Sequence, residues 1–179
     1  DVAMSGGRRN FIGTDVTDEE GKTGRRADGV NLIEALKAEG VQYAWGDESF
    51  EALNLDGSKP ILGLFESSHM QYEADRKGEP SLAEMSSAAI KALQAADNGF
   101  FLQIEAGRVD HANHDGNLAR AVEDGVAFAE TVAMVDALTD DEDTLIIVTA
   151  DHEHAIAFNG YCGRGSNILG LCMDIDNAG

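Results

Sequence analysis

Apolar residues recur along the chain in two rhythms, short unbroken runs and longer stretches at helical spacing. Val30, Ile33 and Leu36 share one helical face ahead of Gly40, which predicts a helix from about Asp28 to Glu39. Val41 to Trp45 and Ile61 to Phe65 predict short strands. Behind Pro80, Ser81-Leu-Ala-Glu84 has the form of a capping box. It opens a predicted helix with Leu82, Met85, Ala89 and Leu93 toward the core, ended by Asp97-Asn98-Gly99. Phe100 to Glu105 is an apolar run of strand length. A long helix is predicted from about Asp115 to Leu138, with Leu118, Val122, Gly125, Ala129 and Val132 inward and Arg120, Glu123, Asp124 and Glu130 outward. Thr144 to Ala150 is apolar without alternation, the pattern of a strand covered on both faces. Strands alternating with amphipathic helices predict an α/β layered sandwich, its central, mostly parallel sheet flanked by helices.

The first 29 residues show little periodicity and are punctuated by glycine, so residues 1–29 read as a loop-rich opening segment to an α/β core over 30–179. They carry Arg8-Arg9 and Arg25-Arg26, four of the 13 Lys and Arg residues. In so acidic a chain these are expected in salt bridges, with a phosphate-facing role as the alternative. The 179 residues hold 33 Asp and Glu, for a net charge of −20. That charge excludes nucleic acid, whose binders need cations to neutralise phosphates, and anionic membrane surfaces. It favours bound cations or a salty setting. The acidic run Asp140 to Asp143 reads as a solvated turn. No apolar run approaches the roughly 20 residues of a membrane-spanning helix. Cys162 and Cys172 lack the spacing of a redox or zinc pair and read as separate thiols, a local disulfide being open to them only in an oxidising compartment.

Candidate chemistry gathers where the two most apolar runs end. Glu105, Asp110 and His114 follow the first, and Asp151, His152 and His154 follow the second. Sites in open α/β sheets form beyond the carboxyl ends of strands. Imidazole nitrogen and carboxylate oxygen suit zinc, while carboxylate and water suit magnesium. Asp110 and His114 can reach one ion if their segment is a helical turn or a tight loop. His111 points away from that pair. His69 has no carboxylate neighbour in sequence and reads as a structural or loop residue.

FFLQIEAGRVDHANHDGN followed by TLIIVTADHEH resembles the metal-ligand core of the bacterial alkaline phosphatases. DVAMSGG, ILGLFESSHMQYEADR, EPSLAEM and GYCGRGSNILGL resemble the same family, so the likeness spans nearly the whole chain. It implies a periplasmic or secreted enzyme, often a homodimer, that holds two zinc ions and one magnesium. Such an enzyme hydrolyses small phosphate monoesters through a phosphoserine intermediate. By the same resemblance Glu105 is the magnesium ligand. Asp110 and His114 hold the zinc that activates the attacking water, and Asp151 and His152 hold the zinc that stabilises the serine alkoxide. His154 orients a ligand carboxylate. The family's Asp-Ser-Ala-x-Thr-like nucleophile motif, its phosphate-binding Arg, its early bridging Asp and its late His ligand do not occur in this sequence. The chain, beginning at Asp1, is therefore expected to be the middle portion of such an enzyme and inactive alone. Open alternatives are a non-catalytic acidic fragment that binds divalent cations, and a related phosphodiesterase or sulfatase.

Overall fold

A computed structural model describes residues 1–154, 163 and 165–167. Three strands, β1 (Val2–Ser5), β2 (Gln42–Ala44) and β3 (Ile61–Leu64), form a parallel sheet in the order β1-β3-β2. Ile61 is in register with Val2 on one side and Gln42 on the other. The five α-helices among the described residues are α1 (Leu32–Ala38), α2 (Asp47–Glu51), α3 (Leu82–Leu93), α4 (Arg108–His114) and α5 (Leu118–Leu138).

β3 sits centrally, and all four of its residues are buried. Leu62 and Leu64 pack with Ile12 and Ile33 on one side of the sheet. Phe65 packs with Ala44 and Met85 on the other, and Phe50 meets the Phe65 ring edge-on at 5.8 Å. This two-sided cover is why ILGL does not alternate. Gly63 makes room for the second layer: a Cβ there would lie 2.6 Å from the Phe65 ring. The result is a parallel sheet flanked by helices, as the periodicity predicts.

Several boundaries differ from the sequence reading. α1 starts at Leu32 because the Asn31 side chain accepts from the Glu34 N–H at 3.1 Å, so Val30 stays outside the helix and exposed. α3 carries the expected capping box, with Ser81 and Glu84 hydrogen-bonded to each other's N–H, and ends at Leu93. In α5 the buried positions are Ala121 and Thr131, while Val122 is exposed and Asp124 accepts from the Glu73 N–H at 3.2 Å. Small residues let α5 lie close against α3 and α4 (Ala121 beside Ala112), which turns the inward face away from the bulky valine.

β1 lies inside the segment read as loop; its four residues, VAMS, are too few to show a period. What fixes the opening segment is Arg8, fully buried, which ion-pairs Asp18, Glu19 and Glu20 and donates to the Leu64 carbonyl at 3.2 Å. Of the four arginines expected in salt bridges, Arg8 and Arg26 form them, the latter with Asp28, while Arg9 and Arg25 have none among the described residues.

The two expected strands at 100–105 and 144–150 are not strands in the structure. Both segments lack a ladder partner among the described residues. Phe101 is 89% exposed, Leu145 82% and Ile147 76%. An apolar run becomes a strand only when neighbours pair with its N–H and C=O groups, so composition alone overstated these two. Cys162 and Cys172 lie outside the described residues.

Candidate metal centre

α4 is a seven-residue helix between two loops, and one residue anchors it. Ala112 is completely buried against Tyr72 and Ala121, and the Tyr72 hydroxyl donates to Asp115 at 2.7 Å. Gly116, at φ 64°, makes the left-handed turn into α5. With Ala112 facing inward, Asp110 and His114 fall on the opposite, open side, one helical turn apart.

The loop that follows residue 150 comes to this face. His114 Nε2 lies 3.5 Å from Asp110 Oδ2. His152 Nε2 and His154 Nε2 lie 3.7 and 3.8 Å from Asp110 Oδ1. Asp151 Oδ2 stands 3.4 Å from His152 Nε2, so all five side chains meet in one place. One ligand-capable atom from each of Asp110, His114 and His154 lies within 4.8 Å of the others. The His114 and His154 rings meet edge-on at 4.7 Å.

Asp110 Oδ1 is buried and has no hydrogen-bond partner. A buried carboxylate oxygen without a partner carries a desolvation cost. A cation among Asp110, His114 and His154 would remove it, and the donor set, imidazole nitrogen with carboxylate oxygen, is the one zinc takes. His152 is held above the ordinary imidazole range by its hydrogen bond to the Glu153 carbonyl and by the Asp151 charge, which also places proton and metal in competition for it.

Glu105 stands apart. Its exposed side chain forms no hydrogen bond or ion pair among the described residues and folds back toward Gly107. His111 turns to Arg108 and His69 rather than to the carboxylates, as the helical spacing implies. The sequence reading missed Arg108, which lies over the Tyr72 ring at 3.7 Å. It also missed Glu79, a buried acid whose Oε2 has no partner. No local pattern marks either residue, because both are defined by neighbours distant in sequence.

The sequence model of the alkaline phosphatase family matches residues 1–178. The chain is 43% identical over 187 residues to a membrane-bound alkaline phosphatase of Bombyx mori, across 98% of this chain and 34% of that relative. It is 39% identical over 183 residues to the tissue-nonspecific alkaline phosphatase isozyme of Felis catus, across 96% of this chain and 35% of that relative. The structure resembles the crystal structure of Thermus thermophilus alkaline phosphatase with a TM-score of 0.66 and 36% identity, over 76% of this chain and 27% of that one. A cold-active alkaline phosphatase from Shewanella sp., at 22% identity and a TM-score of 0.60, shares the fold. The chain thus spans about a third of the length of the curated relatives it matches. On the family match and these likenesses together, the chain belongs to the alkaline phosphatase family.

Proposed function

We propose that this chain supplies the metal-binding portion of a metal-dependent phosphomonoester hydrolase that works through a phosphoserine intermediate. Family membership supports the phosphatase reading. The observation that carries the metal reading is the meeting of Asp110, His114, Asp151, His152 and His154 around a buried, unpartnered carboxylate oxygen.

Asp110 and His114 would hold one zinc and Asp151 and His152 a second. Glu105, an oxygen-only ligand, would serve magnesium. Bound there, the metals supply Lewis acidity and lower the pKa of coordinated water or hydroxyl. The protein's own part is to aim the carboxylates. α4 sets the Asp110–His114 pair. His154 Nε2, 3.8 Å from Asp110 Oδ1, would be a third donor within reach of one ion, beside the carboxylate-orienting role that the family resemblance implies. The small phosphate monoesters of such an enzyme, its divalent cations, its homodimeric state and its periplasmic or secreted location are part of the same proposal. No helix among the described residues is long and apolar enough to cross a membrane.

The chain alone is expected to bind metal without turnover. Among the described residues no serine hydroxyl is hydrogen-bonded to the cluster, and the family's serine motif does not occur. The test has two arms. Zinc stoichiometry and affinity of this chain should fall for His114→Ala and for His152→Ala, and should stay unchanged for His69→Ala. p-Nitrophenyl phosphate should be hydrolysed by a longer protein containing this segment and its serine, and not by the 179-residue chain. Equal loss of zinc in the His69 variant defeats the site assignment. Turnover on the order of 1 s⁻¹ from the chain alone defeats the reading that catalysis needs the rest.

A further inference from the structure

A chain with 33 acidic and 13 Lys and Arg residues should leave few guanidinium groups without a carboxylate. Arg8, Arg26, Arg76 and Arg120 are each ion-paired. Exposed Arg25 has no ion pair, and neither do the half-buried Arg9 and Arg108, neither of which has a carboxylate oxygen within 4.0 Å among the described residues. Arg9 and Arg108 each also keep a buried Nε with no hydrogen-bond acceptor. An unsatisfied charged donor costs more than a neutral one, so two with the same lack, both in electrostatic reach of His69, call for a common acceptor.

They are brought to one place by three separate pieces of chain. Arg108 and His111 are one turn apart on α4, with Arg108 Nη1 3.0 Å from His111 Nδ1. The His111 ring meets His69 at 4.4 Å. His69 in turn lies on the loop that clasps the opening segment, through Gly7 N–H to the Ser68 carbonyl at 2.5 Å and Arg9 N–H to the Ser67 carbonyl at 3.2 Å. That clasp needs Gly6, where a Cβ would lie 2.2 Å from the Ser68 carbonyl oxygen. Partial burial, then the charges of His111, Arg108 and Arg9, hold His69 below its ordinary imidazole range. Asp124, an acid in electrostatic reach of Arg108, is pushed up by burial and already accepts from the Glu73 N–H.

We infer that Arg9, His69, Arg108 and His111 form a binding site for a tetrahedral oxyanion, with inorganic phosphate as its occupant, built from side chains other than those of the carboxylate–imidazole cluster. Guanidinium groups offer paired N–H donors that match phosphate oxygens, and the stack on Tyr72 holds the Arg108 plane in place. The two imidazoles supply further donors on the exposed side. The site needs no metal, so it stands or falls separately from the proposed metal centre.

The test titrates inorganic phosphate into the 179-residue chain after its metals are stripped with EDTA and the chelator is dialysed away. Calorimetry should show saturable binding of one phosphate per chain, and NMR should show shifts of the His69 and His111 ring resonances. Arg9→Gln and Arg108→Gln should each weaken binding about tenfold or more. Arg26→Gln, which removes an equal charge elsewhere, should change it less than about twofold. His69→Gln, at an exposed position where folding is not at stake, should weaken binding about threefold. No saturation by on the order of 10 mM phosphate overturns the proposal. So does equal weakening by Arg26→Gln, or binding that appears only after zinc is restored.

Discussion

Glu79 offers a sharp test of the packing around the sheet. Its side chain is 2% exposed. Oε1 accepts from the Gln71 N–H at 2.7 Å, while Oε2 is buried without a partner. Burial, opposed in part by that hydrogen bond and reinforced by the charge of Glu66, pushes the carboxyl up from 4.5 to about 7. The folded chain therefore binds the Glu79 proton more tightly than the unfolded one. Below 4.5 both states are protonated and the group costs nothing. As pH rises from 4.5 to 7 the unfolded state loses its proton first and stability falls; above 7 the loss is complete and constant. The gap corresponds to about 3 kcal/mol. Glu79→Gln keeps the acceptor for Gln71 and removes the charge. At pH 8.5 it should stabilise the chain by about 3 kcal/mol, or roughly 6–12 °C in Tm for a chain of this size. At pH 5 it should be close to neutral. Urea denaturation in EDTA at both pH values measures the difference. A variant less stable than the parent at pH 8.5, by the same amount as at pH 5, would refute the claim that the buried carboxylate is uncompensated.

Further outcomes follow from the helices and the site. Ser81→Ala removes the cap that accepts from the Glu84 N–H and should cost about 1 kcal/mol by denaturation, with zinc binding unchanged. Ala112→Leu places new volume at a fully buried position between Tyr72 and Ala121, should cost about 1–3 kcal/mol, and should lower zinc affinity by displacing α4. In a longer, active protein, Glu105→Ala should abolish stimulation by added magnesium while zinc content stays constant. In the same protein, Asp151→Ala should suppress the acid-trapped phosphoenzyme, whereas Asp110→Ala should slow its hydrolysis more than its formation.

What could be read from the sequence was local. The Ser81–Glu84 box announces α3, the ILGL run announces a strand covered on both faces, and the Asp110–His114 spacing places both groups on one face once α4 is helical. The start of α1 was misplaced because Asn31, not Asp28, caps the helix, its side chain accepting from the Glu34 N–H. α2 escaped notice because five residues carry no period; it is held by Ser49 Oγ, which accepts from the Gly46 N–H at 3.1 Å. The segments at 100–105 and 144–150 have strand composition, yet pairing is a property of neighbours and none is present among the described residues. The meeting of residues 151–154 with α4 was anticipated from two polar clusters that each follow an apolar run, and the family resemblance sharpened it. The cationic group was foreshadowed only by the phosphate-facing alternative for Arg9, since Arg9, His69 and Arg108 come from three distant stretches and only the folded chain shows the buried Nε of Arg9 and of Arg108 without a partner.

The central claim is that Asp110, His114, Asp151 and His152, with His154 beside them, form a zinc centre. Zinc K-edge X-ray absorption of the zinc-loaded chain, recorded for the parent and for His114→Ala and His152→Ala, tests it most directly. The parent should show only nitrogen and oxygen neighbours at about 2.0–2.2 Å, and each variant should lose imidazole scattering and bound zinc. Sulfur neighbours at about 2.3 Å, which would assign the metal to Cys162 or Cys172, or spectra unchanged by both substitutions, would contradict the claim.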